Sequence, residues 1–154
     1  HKAMEDIPQE PWTQEEIEYA SALNRFYEKN KSAILDQHDL PDNMEIHEGV
    51  LPMLATGDCS SSDVGDVAHI VPTAFFTTAC SNIGAPGHSW QITACSAHSI
   101  GLKGMLYGAK ILAKAAQDLL TEPEILERAN AEFKKRIRGK TYQCPLPESM
   151  DIPE

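Results

Sequence analysis

Two apolar runs decide the fold predicted for this chain: Val-Ala-His-Ile-Val-Pro at 67–72 and Gln-Ile-Thr-Ala-Cys-Ser-Ala at 91–97. Beyond its proline, the first run continues as Thr-Ala-Phe-Phe-Thr-Thr-Ala-Cys at 73–80. β-Branched and aromatic residues are frequent in both runs and charges are few, as is typical of strands at the centre of a sheet. We therefore predict strands over these residues.

A helix is predicted on each side of these runs. Thr13 and Glu16 form a capping box, which begins a helix that ends near Asn30. Ser99 begins a longer helix that ends near Leu120, and small residues at several of its positions indicate close packing against a sheet. The apolar stripe that this helix is predicted to bury consists of Leu102, Met105, Leu106, Ala109, Leu112, Ala113, Ala116, Leu119 and Leu120.

A last helix is predicted from a second capping box, Thr121 with Glu124, to Gly139. Two or three strands covered by helices indicate an α/β sandwich. A sheet this thin would leave ladder groups unpaired at its edges, so further strands are expected outside the chain. The residues of the last helix that are predicted to point inward are Ile125, Leu126, Ala129, Phe133 and Ile137.

Length and charge limit the possible functions. The chain has 154 residues, the size of one domain, and 13 basic against 23 acidic residues give a net charge of −10. This charge argues against nucleic acid or an anionic membrane as the main partner. No apolar run approaches the roughly 18 residues of a transmembrane helix, and no signal peptide is visible. Four cysteines without a C-x-x-C pair favour reduced thiols in a cytoplasmic protein.

The chain divides into three parts by composition. Residues 1–12 are predicted to be an irregular lead-in broken by two prolines, consistent with a tag or linker remnant. Residues 13–139 form the folded portion, in which 31–66 show no clear period. Residues 140–154 hold several prolines and acids and are predicted to be a tail.

His88 is the most suggestive single residue for chemistry. It lies in a Gly-Ala-Pro-Gly-His-Ser loop between the two apolar runs. Loops at the ends of sheet strands are where α/β enzymes place ligands, and a neutral imidazole suits zinc or a similar divalent ion. One histidine is not a metal site, so the alternative is a turn histidine that bonds to the backbone.

Asp63 and Asp66 directly precede the first run. They can serve as metal ligands, as partners that hold an imidazole in place, or as loop anchors, and the alternative is that they form Asx turns. Ser62 offers a small side chain and a backbone donor suited to a bound carboxylate. His69 is predicted to be a buried strand histidine, and His98 to be a capping or surface residue.

Four short stretches together resemble a known family. They are Ser-Ser-Asp-Val-Gly-Asp-Val at 61–67, Val-Pro-Thr at 71–73, Gly-Ala-Pro-Gly-His-Ser-Trp-Gln at 84–91 and Ile-Gly-Leu-Lys-Gly-Met-Leu at 100–106. In this order they resemble the part that follows the lid domain in dinuclear-metal amidohydrolases of the carboxypeptidase/aminoacylase clan. Within that clan, they are most similar to the aminobenzoyl-glutamate hydrolase branch.

The resemblance implies a fold, a reaction and site residues. The fold is a three-layer α/β/α, zinc-peptidase-like sandwich with a mixed sheet. The reaction is hydrolysis of the amide bond of N-acyl amino acids such as p-aminobenzoyl-glutamate, by water activated on two divalent ions (zinc, manganese or cobalt). His88 matches the last metal ligand of the family. Asp63, with Ser62, Asp66 and Gly87, is expected to support the ligands or to face the substrate.

The departures from the family are large. No segment matches the family's upstream ligand motifs, its glutamate general base or its lid domain, so the chain is expected to be a fragment, inactive by itself. Its expected partners are the missing N-terminal half, a small N-acyl amino acid, and a further subunit in a homodimer or an A/B heteromer. The alternative is a non-catalytic α/β module that binds a partner and keeps the fold without a complete metal site.

Overall fold

The computed structural model describes residues 1–53, 62–147 and 150, and these form two separate units. The first unit contains residues 1–53 and 76–117, and the second contains 62–75, 118–147 and 150. The helices of the described residues are α1 (Lys2–Asp6), α2 (Gln14–Asn24), α3 (Glu28–His38), α4 (Val64–Ala68), α5 (Trp90–Ser96), α6 (Ser99–Thr121) and α7 (Pro123–Ile137). None of them is both long and apolar enough to span a membrane.

The predicted α/β sandwich, with its three layers and mixed sheet, is wrong: the described residues are helical or irregular and contain no strand. The run at 91–97 lies mainly in α5, whose buried residues Gln91 and Cys95 are spaced i, i+4 as on one helix face. The run at 67–72 begins within α4, and 73–80 have no regular structure. Short apolar runs fit a strand and a buried helix equally well, so composition favoured the wrong element.

The first predicted helix is confirmed at its start and corrected at its end. The Thr13 hydroxyl accepts a hydrogen bond from the Glu16 backbone N–H (3.3 Å), and the Glu16 carboxylate accepts one from the Thr13 N–H (2.7 Å). Helix α2 ends at Asn24, and α3 follows as a separate helix where no period was visible. Because Leu35 is the one buried residue of α3, that helix has no apolar stripe to read.

The core of the first unit joins α2, α5 and α6. Its buried cluster consists of Trp12, Ala20, Leu23, Ile46, Cys95 and Ile100. Glycines allow α6 to approach its neighbours closely, since a Cβ at Gly104 would lie 2.6 Å from the Cys80 sulfur, and one at Gly101 would lie 3.0 Å from the Ser96 backbone. The predicted close packing therefore occurs, against the end of α5 and the 79–80 backbone instead of a sheet.

Helix α6 has the predicted length but buries the opposite face. Its buried residues are Ile100, Gly101, Gly104, Tyr107 and Ile111. At 100° per residue these lie on the side away from the predicted leucine stripe. The large apolar side chains of that stripe are all exposed: Leu102, Met105, Leu106, Leu112, Leu119 and Leu120.

Helix α7 begins with Pro123 in its first turn, as predicted, but without the second capping box, because Thr121 is the last residue of α6. It ends as predicted, with Arg138 in the left-handed conformation (φ 53°) followed by Gly139 (φ 74°). None of its residues is buried. The predicted inward positions are only half-buried, and Leu126 is exposed.

The N-terminal residues were predicted to be an irregular lead-in and the C-terminal residues a tail. Within 1–12, expected to be irregular, α1 forms and its Met4 carbonyl accepts a hydrogen bond from the Tyr107 hydroxyl (3.0 Å). The described tail residues 140–147 contain no helix or strand. The rest of the tail apart from Met150, and Cys59, lie outside the described residues, and the described cysteines are free thiols.

Candidate functional site

His88 lies in the first unit, in the loop that precedes α5. Its side chain is exposed, and its backbone has φ 58°, the left-handed conformation that few non-glycine residues adopt. Beside it, a Cβ on Gly87 would meet no atom within 4 Å. The imidazole is therefore open to a ligand, and the backbone before it leaves room for one.

The residues after His88 have unused hydrogen-bonding capacity. Gln91 is completely buried, yet neither its amide nitrogen nor its amide oxygen has a hydrogen-bond partner among the described residues. The same holds for the Ser89 hydroxyl. Because a buried polar group without a partner costs about 1–3 kcal/mol, this segment stands out in an otherwise well-packed unit.

The acidic candidates lie in the second unit, around α4. Asp63 precedes the helix and makes no side-chain cap, while the Ser62 hydroxyl accepts a hydrogen bond from the Val64 N–H (3.2 Å). The Asp63 carboxylate is exposed. Asp66 forms a hydrogen bond with Tyr142. Desolvation is the largest cause that raises the pKa of Tyr142 to about 12, and the hydrogen bond to Asp66 is the second.

The predicted site residues thus fall into two groups, Ser62, Asp63 and Asp66 in the second unit and Gly87 and His88 in the first. Nowhere in the described chain do three His, Cys, Asp or Glu side chains come together in a way that could hold a metal ion. A single imidazole does not fit two divalent ions by itself, since catalytic zinc sites use about three protein ligands.

Two other histidines differ in how well they were predicted. His69 is exposed at the end of α4, with its Nδ1 2.7 Å from the Gly65 carbonyl oxygen, so the buried strand histidine was wrong. His98 immediately precedes α6; its Nδ1 accepts from the Ile100 N–H (3.4 Å), and its ring stacks on Tyr19 with centroids 4.2 Å apart. The capping prediction for His98 is confirmed.

A buried polar cluster around Asn24 was not predicted from the sequence; it also contains Asn82 and the side chain of Glu45. A signal for it existed. The buried residues of α2 are Glu16, Ala20, Leu23 and Asn24, so a polar residue occupies a position that the helical period assigns to the core.

The comparisons with known proteins point to one family. Over 103 residues the chain is 33% identical to the B subunit of p-aminobenzoyl-glutamate hydrolase from Escherichia coli (strain K12). This chain is related to that hydrolase component. The match covers 66% of this chain but only 21% of the relative, so the chain spans about a fifth of the relative's length. No family model matches the chain, and no solved structure matches it.

Proposed function

We propose that this chain is the C-terminal part of a metal-dependent amidohydrolase that cleaves N-acyl amino acids such as p-aminobenzoyl-glutamate. The observation that carries the proposal is the relation to a hydrolase component named for that substrate. The dinuclear clan and the position after the lid domain belong to the proposal. They rest on the four stretches quoted from the sequence.

In this proposal His88 supplies one ligand to a pair of zinc, manganese or cobalt ions. Its exposed imidazole and the open space at Gly87 support that role. Bound divalent ions would polarise the scissile carbonyl and acidify a water molecule. The exposed carboxylate of Asp63, with Ser62 and Asp66, would support the ligands or contact the substrate. The remaining ligands and the general base would come from outside this chain.

The exposed apolar face of α6 supports the proposal that further polypeptide packs against this chain. Leu102, Met105, Leu106 and Leu112 lie within about three turns and are each more than half exposed. A contiguous apolar patch of this kind is rare on a self-contained protein and marks a contact surface. We propose that this patch packs against the N-terminal half of the same polypeptide. We also propose that the complete protein forms a homodimer or a heteromer with an A-type subunit.

The test uses the longest natural reading frame that contains this chain. Its product is assayed for release of p-aminobenzoate from p-aminobenzoyl-glutamate and for bound metal. His88→Ala is expected to lower kcat/KM by at least about 100-fold, because losing a ligand costs more than the 10–100-fold typical of residues that merely orient one. His38→Gln, at the end of α3, serves as the control. Unchanged activity and metal content in His88→Ala would refute the proposal.

A second function is favoured by the lack of a complete ligand set in the described chain. It is a non-catalytic module that keeps the fold and binds a protein partner. The same frame discriminates the two functions, because a module would show neither stoichiometric metal nor hydrolysis. Tight, stoichiometric zinc in the isolated 154-residue chain would contradict the fragment proposal itself.

A further inference from the structure

The loop that carries His88 begins beside a buried side chain, Asn24, that makes four hydrogen bonds. The Asn24 amide nitrogen donates to the Glu45 carbonyl oxygen (3.1 Å) and to the Glu45 carboxylate (2.6 Å). Its amide oxygen accepts from the Asn82 amide (2.6 Å) and from the Gly84 N–H (2.9 Å). All four hydrogen-bonding positions of the amide are therefore used, in a residue that is 3% exposed.

The orientation of the Asn24 amide is fixed by its backbone partners. The Gly84 N–H can only donate and the Glu45 carbonyl can only accept, so a flipped amide would lose both bonds. The Glu45 carboxylate is held in turn by Lys31 on α3 (2.8 Å), with both side chains mostly buried. Asn24 thus joins α2, α3 and the 45–46 segment to the start of the loop.

The far side of the loop is tied to the same group. The Cys95 thiol on α5 lies 3.9 Å from the Asn82 amide oxygen and is completely buried. Asn82 therefore connects Asn24 to the helix that follows His88. Only residues 85–87 separate the anchored Gly84 from His88, and the ring of Pro86 restricts one of these three.

Gly84 is shaped to fit against this cluster. A Cβ at Gly84 would lie 2.9 Å from the Asn24 amide oxygen, 3.1 Å from the Tyr27 carbonyl oxygen and 3.2 Å from the Lys31 Cβ. Two of these neighbours belong to the hydrogen-bonded cluster and one is backbone. The loop therefore approaches α2 and α3 as closely as the absence of a side chain permits.

We propose that Asn24 is a positioning residue, which fixes the His88 loop so that the imidazole is presented to the metal pair. The inference rests on the proposed function for its purpose, while the fixing of the loop is a property of this chain alone. Neither end of the loop has to be ordered when a metal binds, because both ends are held by the cluster. Asn82 and Gly84 are the two points through which Asn24 acts.

The first experiment measures amide hydrogen exchange in the 154-residue chain. The N–H groups of Ile83, Gly84 and Ala85 are bonded to Glu45, Asn24 and Asn82. In Asn24→Ala we expect these amides to exchange at least about 10-fold faster relative to the core amides of α6. Leu35→Ala is the matched control, because Leu35 is equally buried on α3 and belongs to none of these hydrogen bonds. It should accelerate all core amides together.

Two further variants keep the test decisive if Asn24→Ala does not fold. Asn24→Asp keeps the oxygen that accepts from Asn82 and Gly84, but it replaces the donating nitrogen with a second oxygen that faces the Glu45 carbonyl and carboxylate. It should therefore also show the loop-specific acceleration. Gly84→Ala keeps Asn24 but displaces the loop, and should show the loop-specific acceleration, whereas Gly108→Ala, whose Cβ meets nothing closer than 3.6 Å, should not. Loop amides that exchange like the α6 core amides in both Asn24→Ala and Gly84→Ala would overturn the proposal.

The second experiment measures activity and metal affinity in the longest natural reading frame. Asn24→Ala should lower kcat and weaken metal binding by about 10–100-fold, as for other residues that orient a ligand, with little change in KM. Leu35→Ala, assayed well below its melting temperature, should leave kcat unchanged. A loosened loop with unchanged kcat and metal affinity would overturn the positioning role. Absence of hydrolysis by the wild type would instead refute the proposed function, and the exchange data would still decide whether Asn24 fixes the loop.

Discussion

The two units of the chain differ sharply in burial. All of the fully buried residues in the described chain, apolar and polar, belong to the first unit. The described residues of the second unit include none, although α7 carries five apolar residues that were predicted to point inward. The first unit therefore has a buried core, whereas the apolar side chains of the described helices in the second unit are at most half-buried.

Helix α7, in the second unit, is stabilised by local interactions within the helix. Pro123 favours helix in the first turn, Arg136 pairs with Glu132 one turn away, and Arg138 and Gly139 end the helix in the left-handed conformation. These are local signals, each worth a fraction of a kcal/mol. Isolated helices of about 15 residues are marginal in water, so these local signals alone account for little stability of the second unit.

The largest expected contrast is between truncating one apolar side chain in each unit. Ile100→Ala removes a completely buried side chain from the core of the first unit and should lower the free energy of unfolding by about 3–4 kcal/mol. Leu126→Ala on α7, where Leu126 is 48% exposed, should change it by less than about 0.5 kcal/mol. Urea unfolding followed by far-UV circular dichroism measures both. Equal losses would contradict the difference between the units.

Acid should act mainly on the first unit, through Glu16. Burial tends to raise the pKa of this carboxyl, but hydrogen bonds from Lys103, Ser99 and Thr13 outweigh burial and lower the pKa from 4.5 to about 2. Stability from this group is therefore fully present above about pH 4.5 and is lost as the pH falls towards 2. The shift corresponds to about 3 kcal/mol.

The measurement is urea unfolding between pH 7 and pH 2, followed by tryptophan fluorescence. Trp12 and Trp90 both lie in the first unit, so the signal reports on that unit. Glu16→Gln should be less stable than the wild type at pH 7, and its stability should depend less on pH between 4.5 and 2. The Lys103 ammonium lies 2.8 Å from the Glu16 carboxylate, so Lys103→Met should give the same pattern. A wild-type profile that is flat in this range would contradict the assignment.

A smaller effect separates two glycines of α6. Gly104→Ala would place a Cβ 2.6 Å from the Cys80 sulfur and closer still to the Ala79 carbonyl, so we expect a loss of about 1–3 kcal/mol. Gly108→Ala meets only Thr78, at 3.6 Å, and should gain about 0.5–1 kcal/mol from helix propensity. Thermal unfolding of the two variants checks this. A neutral Gly104→Ala would mean that the 79–80 backbone yields easily and that packing in the first unit is looser than described.

How much of this could be read from the sequence depends on how local each signal is. The capping box of Thr13 and Glu16 and the end of α7 at Gly139 follow from nearby residues, and both were predicted correctly. The strands were not, because a strand is defined by partners elsewhere, and the run at 91–97 contains the i, i+4 pair of a helix as well as β-branched residues.

The buried face of α6 could not be read for a similar reason. Periodicity identifies two usable faces, a leucine-rich one and one lined by Gly101, Gly104 and Tyr107, and the available partner selects between them. In this chain the partner is the first unit itself, whose backbone at Ala79 and at 95–96 lies too close to Gly104 and Gly101 for a larger side chain. In the candidate site, the His88 loop was predicted from its residues. Its attachment to Asn24 was not, since it joins positions 24, 45, 82 and 84 that are distant in sequence.

The smallest predicted effect concerns backbone conformation at the candidate ligand itself. His88, Asp39 and Arg138 are the described non-glycine residues with positive φ, at 58°, 52° and 53°. The left-handed conformation costs an ordinary residue about 1–2 kcal/mol. Substitution by glycine removes this cost, but part of the gain is lost because glycine makes the unfolded chain more flexible. His88→Gly should therefore raise the stability of the first unit by about 0.5 kcal/mol, and Asp39→Gly, at the end of α3, by a similar amount. Arg138→Gly should change the free energy of unfolding very little, because it affects only the end of α7. Urea unfolding followed by tryptophan fluorescence measures His88→Gly and Asp39→Gly in the first unit, and far-UV circular dichroism measures Arg138→Gly in the second. A loss of stability in His88→Gly alone would show that the imidazole makes a stabilising contact in this chain. A gain would show that the first unit holds a histidine against its local preference, as is common where a residue is kept for its chemistry.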